Sequence, residues 1–413
     1  MNPFDEKPKS LLNGILNWKQ ISLKPYLKES TDPYTKTRII LMNGTEYEAV
    51  KFSHNFQRHC NDNDIRRDLA YIRRIEQQQQ KQIAGLKPIN ETILESTIGY
   101  EQLAVDLTCF LAKRADNVNL KNTLDFALLE DFDHLYRYSN LLENDFGIHA
   151  EKLVGKYTEI TPGRPTVAHH RHPSDTVKPH GTNKDSIQTI CDSHIITAAE
   201  QQTMNYYMNV GSFYINEEGK KLYNEIAMVE EDHVTEYGSL LNPNVTMIEC
   251  ALIHEYVECY LYYSMILDET DENIKRVWEQ CFEQELSHLH ATEKLLKKYE
   301  NKTYLDVLPT GEFPKPLKLQ SNIDYVREVL GKTVYNTGYF ETFRDIKDLP
   351  EDSLFMRYQG KVNKNILDVQ SHVVIDNYIK NHGKDYRFEV GPNPIKPLQD
   401  RKADNVDVGI NRD

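Results

Sequence analysis

The chain has 413 residues, of which 27% are charged, and its formal net charge of −14 without a visible basic patch argues against a nucleic-acid partner. No apolar run approaches the roughly 20 residues that a membrane span needs, and Met1–Gln20 lacks the apolar core of a signal peptide. We therefore expect a soluble, cytoplasmic protein with no membrane partner.

The cysteines carry no motif. They form no Cys-x-x-Cys pair, so a zinc or rubredoxin-type Cys₄ site is excluded, and we interpret them as reduced thiols in a cytosolic protein. They are Cys60, Cys109, Cys191, Cys250, Cys259 and Cys281.

The first part of the chain is assigned as an N-terminal extension, residues 1–53. Asn43-Gly44 lies between two runs of β-prone residues, from Arg38 and up to Phe52, and Asn-Gly suits a type I′ turn. The pattern predicts a small β-hairpin there. Apolar residues at helical spacing then predict a helix over about 64–84.

One helical hairpin occurs three times, over residues 90–142, 195–241 and 246–299. In each copy a Glu precedes a second carboxylate by 30 residues, and a His follows three residues later. The three sets are Glu101, Asp131, His134; Glu200, Glu230, His233; and Glu255, Glu285, His288. We assign residues 54–299 as a helical domain with a long connection at 143–194, and residues 300–413 as a C-terminal arm or cap.

These acids and imidazoles lie on the apolar stripe of each helix, so folding buries them. A buried carboxylate is costly unless it is paired, and no Lys or Arg recurs on the stripes. In a single copy the residues would be explained equally well as satisfied polar core groups. Three copies with unchanged spacing favour a divalent cation, which would satisfy both acids and the neutral imidazole of a hairpin together.

The spacing resembles the half-site of the ferritin-like diiron-carboxylate superfamily, in which a Glu on one helix meets Glu-x-x-His on the next. Glu230-x-x-His233 and Glu285-x-x-His288 match this motif, and Asp131-x-x-His134 matches it with Asp for Glu. Glu255-x-x-Glu258 resembles the doubled Glu of a rubrerythrin helix, which adds Glu258 to the metal ligands.

The resemblance implies an all-α fold, a ferritin-like bundle built from three αα-hairpins. It also implies a dinuclear centre with two irons, or manganese as in manganese catalases, that reacts with peroxide or dioxygen as an oxidase, peroxidase or oxygenase. Ligand type permits iron, manganese and zinc. Alternatively, Glu258 does not bind metal and is a candidate for proton delivery. No other catalytic residue is assigned.

Three half-sites are one more than a single centre needs. The connection 242–245 reaches only about 14 Å at ~3.5 Å per residue, whereas a ferritin crossover spans about 25 Å. The first hairpin is therefore expected to pair with the second or the third through the long connection. The unpaired half-site would face a second copy of the chain, so we expect a homodimer.

Two other interpretations stay open: a non-catalytic metal-binding or iron-storage protein, and a helical scaffold whose polar stripes pair with each other without metal. Tyr207 and Tyr262 lie two turns after their Glu residues and are interpreted as core packing rather than redox-active groups. Glu130 and Asp232, beside the predicted ligands, are interpreted as surface charges rather than as partners of the ligands.

Overall fold

The computed structural model describes residues 1–161, 163, 166–174, 178–365, 368–383, 395–396, 402–403 and 409–410. Most of these residues are helical, and two short antiparallel strand pairs are present. The helices are α1 (Trp18–Ile21), α2 (Pro33–His59), α3 (Asn63–Ala84), α4 (Ile93–Arg114), α5 (Val118–Phe146), α6 (Ala150–Leu153), α7 (Thr166–His169), α8 (Ile187–Val210), α9 (Glu217–Gly238), α10 (Met247–Asp268), α11 (Glu272–Glu300), α12 (Ile323–Thr333), α13 (Leu354–Val362) and α14 (Gln370–His382). The strands are β1 (Asn336–Tyr339) paired with β2 (Thr342–Asp345), and β3 (Lys402–Ala403) paired with β4 (Gly409–Ile410).

The long helices form four hairpins that pack as two four-helix bundles. Bundle A consists of α4/α5 and α8/α9, and bundle B consists of α2/α3 and α10/α11. Helix α2 contacts α4, α8 and α10, so the two bundles share a packed interface through their inner helices. The all-α prediction is confirmed, but the number of hairpins is four rather than three.

The predicted β-hairpin near Asn43-Gly44 is wrong, because α2 runs through it and through the predicted boundary at residue 53. Asp32 caps the helix by accepting a hydrogen bond from the Tyr34 amide, and Pro33 occupies the first turn, where it favours helix. Gly44 serves close packing instead of a turn: a Cβ there would lie 3.2 Å from atoms of Gln202 on α8.

The three predicted helical hairpins are confirmed as α4/α5, α8/α9 and α10/α11, and the predicted helix over 64–84 is confirmed as α3. Polar caps define where these helices start. Thr92 and Thr246 form capping boxes with Glu95 and Glu249, each the third residue of its helix. The first hairpin pairs with the second, through the long connection, as one of the two expected arrangements.

The remaining segments cover the outer helices. The long connection between α5 and α8 carries the short helices α6 and α7, and α6 packs on α4 and α5. The N-terminal α1 packs on α3 of bundle B, whereas α12 and α14 pack on α5 of bundle A. The N-terminal α1 therefore covers bundle B, whereas α12 and α14 of the C-terminal region cover bundle A.

None of the helices in the described ranges combines the length and the apolar character that crossing a bilayer requires. All six cysteines are free thiols, four of them buried.

A buried ion pair joins the two hairpins of bundle B. Arg38 on α2 donates to Asp268 at the end of α10 at 2.9 Å and to the adjacent Glu269 at 3.2 Å. The three side chains are at most 8% exposed, so the guanidinium compensates two carboxylates that are largely shielded from water.

We predict that Arg38→Met lowers the free energy of unfolding by about 3–5 kcal/mol, because it leaves two buried carboxylates without their cation. Denaturant unfolding at neutral pH measures the change. Arg67→Met is the matched control, since Arg67 pairs with Asp64 in solvent at the surface and should leave stability nearly unchanged. Equal effects of the two substitutions would contradict the role assigned to Arg38.

Candidate metal centre

Six side chains from all four helices of bundle A meet in its core. We call this set cluster A. Its members are Glu101 on α4, Asp131 and His134 on α5, Glu200 on α8, and Glu230 and His233 on α9. None of them is more than 2% exposed. The first two predicted half-sites therefore face each other and form one cluster.

The donor atoms of cluster A fall into two overlapping groups. Oxygen or nitrogen atoms of Asp131, Glu200, Glu230 and His233 all lie within 4.8 Å of one another, and so do those of Glu101, His134 and Glu230. Glu230 belongs to both groups, with one oxygen 2.9 Å from His134 Nδ1 and the other 3.0 Å from His233 Nδ1. The arrangement offers two adjacent positions for an ion with one carboxylate between them.

No Lys or Arg in the described part of the chain forms an ion pair with the four carboxylates of cluster A, so burial acts on them with little compensation. Burial raises the pKa of Glu101, Asp131 and Glu230 well above the usual value, and neighbouring carboxylates raise it further. Burial alone would lower the pKa of His233, but its hydrogen bonds to surrounding carboxylates, Glu130 first, raise it. Without a cation the folded chain retains protons here.

Several oxygens in the cluster accept no hydrogen bond although they are buried: Glu101 Oε2, Asp131 Oδ1 and Glu200 Oε1. Buried polar atoms of a folded protein are ordinarily satisfied, so these three require an explanation. A divalent cation would supply one, because it displaces the protons and coordinates carboxylate and imidazole together. The six residues fit a metal site.

Side chains around the cluster hold its members in place, and two of them correct the sequence interpretation. Glu130 is fully buried rather than on the surface, and its Oε2 lies 2.6 Å from His233 Nε2. Such a carboxylate fixes the orientation of a ligating imidazole. Tyr207 does more than pack in the core, since its hydroxyl donates a hydrogen bond to Glu101 Oε1 at 2.5 Å. Asp232 is half-buried beside them.

The third half-site lies in bundle B, where Glu255, Glu258, Glu285 and His288 are buried together. It does not need a second copy of the chain, because α2 and α3 of the same chain complete the bundle with Glu46 and Glu76. The reason for expecting a dimer is therefore removed, and the dimer itself stays a prediction.

Sequence reasoning missed Glu46 and Glu76. The signal was present, since Glu76 follows Glu46 by the same 30 residues as in the other hairpins. The position three residues later holds Gln79 instead of His, so a search for the complete Glu, acid and His pattern passes over this hairpin.

Comparison with known proteins adds no assignment: no family model, curated protein or solved structure matches this chain.

We predict that the metal-free protein loses stability as the pH rises from 5 to 8. Glu101, Asp131, Glu230 and His233 have raised pKa values in the folded chain, which then binds more protons than the unfolded chain. Each such group weakens folding by up to about 1.4 kcal/mol per pH unit across its window. His134 has a lowered pKa and opposes this trend only below about pH 6.5, the usual histidine value.

Denaturant unfolding in chelator at pH 5, 6.5 and 8 measures this dependence, with a metal-loaded sample as the control. Metal keeps the carboxylates ionised, so the loaded protein should show a flatter profile. A metal-free protein that gains stability throughout this range would contradict the prediction.

A second prediction concerns Glu130. Glu130→Gln should weaken metal binding at cluster A by about 10- to 100-fold, because the amide no longer fixes and polarises His233 as the carboxylate does. Isothermal titration with Mn²⁺ measures the affinity. Glu231→Gln is the control, since Glu231 is an exposed carboxylate on α9, next to the ligand Glu230. Unchanged affinity in Glu130→Gln would show that Glu130 does not support the ligand.

Proposed function

We propose that cluster A is a ferritin-like dinuclear centre of iron, or of manganese, and that the protein is a metal-dependent redox enzyme reacting with peroxide or dioxygen. The observation that carries this proposal is the pair of overlapping donor groups that share Glu230, each containing one imidazole. A single-ion site would not need two imidazoles on opposite sides of one carboxylate.

The charge of the donor set supports two ions rather than one. Glu101, Asp131, Glu200 and Glu230 supply four negative charges when ionised, and neutral His134 and His233 supply none. Two divalent cations balance this set, whereas a single ion would leave two uncompensated charges in a buried core. The donor types suit iron and manganese, which accept both imidazole and carboxylate.

Iron or manganese bound by these residues would supply one-electron redox chemistry toward peroxide or dioxygen. The chain would bind the metal, orient its ligands and keep water away from the site. Glu130 holds His233, and the Tyr207 hydroxyl holds Glu101. Tyr138 and Tyr223 pack against Tyr207, with ring centroids 5.3 Å and 5.7 Å from it, and exclude water on that side.

A cavity of about 320 Å³ lies outside cluster A, between α9 and the segments that cover it. Among its lining residues are His169, Arg171 and Asp232. Arg171 Nη2 lies 3.7 Å from Glu130 Oε2, and the His169 ring lies 5.6 Å from the His134 ring between centroids. Polar side chains thus connect the cavity with both imidazoles, which suits entry of a small polar oxidant and movement of protons.

A non-catalytic metal-binding or storage function is the second candidate. Its support is the burial of all six side chains of cluster A, which would also suit permanent retention of an ion. The two functions differ in turnover, because only an enzyme consumes peroxide or dioxygen repeatedly.

The test compares the intact protein with His134→Ala/His233→Ala after anaerobic Fe(II) loading. We expect the intact protein to bind two more irons per chain than the variant and to develop an oxo-bridged near-ultraviolet band after oxidation. Elemental analysis and the optical spectrum give these readouts. Equal iron content in the two proteins would contradict the assignment of cluster A as a metal site.

His194→Ala is the matched control for loss of an imidazole. His194 lies on α8 outside the cluster, with its ring 5.2 Å from that of His254, and it should leave the iron content unchanged. Iron bound at cluster A without consumption of peroxide or dioxygen would leave the binding or storage function in place of the enzyme.

A further inference from the structure

Bundle B repeats bundle A at a distance of 55 positions along the sequence. Residues of α2 and α3 correspond to residues 55 positions later in α4 and α5, and residues of α10 and α11 correspond to residues 55 positions earlier in α8 and α9. We call its buried polar set cluster B, consisting of Glu46, Glu76, Glu255, Glu258, Glu285 and His288. Glu46 and Glu76 correspond to Glu101 and Asp131, and the pair Glu285 and His288 corresponds to Glu230 and His233. Even the supporting tyrosine recurs, since the Tyr262 hydroxyl donates to Glu46 as that of Tyr207 donates to Glu101.

Two positions break this correspondence. Gln79 stands where cluster A has His134, and Glu258 stands where bundle A has Thr203. Gln79 contacts the cluster as a hydrogen-bond donor, because its Nε2 donates to Glu285 Oε1 at 2.5 Å. Cluster B has therefore exchanged one imidazole for one carboxylate while keeping six potential ligand side chains.

The donors of cluster B also form two overlapping groups. Atoms of Glu76, Glu255 and His288 lie within 4.8 Å of one another, and so do atoms of Glu255, Glu258 and Glu285. His288 Nδ1 lies 2.9 Å from Glu285 Oε2, as the corresponding His233 nitrogen does from Glu230. The second group consists of oxygen donors alone, and Glu258 completes it.

The state of Glu258 separates cluster B from an ordinary concentration of acidic residues. Glu258 is 1% exposed, and neither of its carboxylate oxygens has a hydrogen-bond partner. Glu46 Oε2 and Glu76 Oε2 are likewise buried without a partner. No Lys or Arg among the described residues forms an ion pair with any of the five carboxylates, and the contacts with His288, Gln79 and Tyr262 compensate them only in part.

We propose that cluster B is a second metal centre, chemically distinct from cluster A, in which an oxygen-only group binds a hard divalent cation such as Mn²⁺. Carboxylate oxygen suits manganese and magnesium, whereas imidazole raises affinity for iron and zinc. The exchange of His134 for Gln79 and of Thr203 for Glu258 thus gives one chain two centres with different metal preferences.

The test measures Mn²⁺ stoichiometry and affinity on the full chain by equilibrium dialysis. Glu76→Gln/Glu258→Gln removes two ligands of cluster B and preserves side-chain volume. It should weaken Mn²⁺ binding at cluster B at least about tenfold, while His134→Ala/His233→Ala should retain cluster B ions. Unchanged binding in the first variant overturns this proposal and leaves cluster A untouched. Unchanged binding in the second opposes only the function proposed for cluster A.

A second variant tests the exchanged ligand itself. Gln79→His, made in the His134→Ala/His233→Ala background, should restore an imidazole to cluster B. Pulsed electron paramagnetic resonance of Mn²⁺ bound at cluster B should then detect one more coupled nitrogen than in the His134→Ala/His233→Ala background. Gln77→His is the control, because Gln77 is exposed on the same helix and should add no coupling. Bound Mn²⁺ without an additional coupled nitrogen in Gln79→His would overturn the proposal.

Discussion

The structure depends on carboxylates that lie in the cores of two helical bundles without basic partners. An unpaired buried ion costs several kcal/mol, yet each bundle concentrates at least four carboxylates between its helices. Within the described ranges, the groups that contact them include imidazoles, the hydroxyls of tyrosines and of Thr108, and the amide of Gln79. Apolar packing alone therefore does not explain why carboxylates occupy these cores, whereas the proposed coordination of a cation would.

Each bundle also uses its acids to join its two hairpins. Tyr207 on α8 donates to Glu101 on α4, and Tyr262 on α10 donates to Glu46 on α2. Both bonds cross from one hairpin to the other inside the core, where low polarity strengthens a charge-assisted hydrogen bond. Each hydroxyl thus links the two hairpins of its bundle at a defined pair of residues.

Much of this was predictable, because helical periodicity and a repeated spacing are visible along the sequence. The three hairpins, the pairing of the first with either the second or the third, and the burial of Glu230 with His233 followed from those patterns. The fourth hairpin was not predicted, because Asn43-Gly44 is typical of a β-turn. The other role of Gly44, close packing of α2 on α8, cannot be seen from the sequence alone. Glu130 was placed on the surface for a similar reason: what covers it is Arg171, from the irregular connection between α5 and α8.

The order of the hairpins along the chain is nested, with the halves of bundle B on either side of both halves of bundle A. A contact within cluster A, from His134 to Glu230, spans 96 residues, whereas one within cluster B, from Gln79 to Glu285, spans 206. Closing the longer loop costs more entropy and requires α11 to have been synthesised. Bundle A can therefore assemble on the ribosome before α10 and α11, the partners of α2 and α3, have been synthesised. Formation of bundle A then brings the two distant halves of bundle B together.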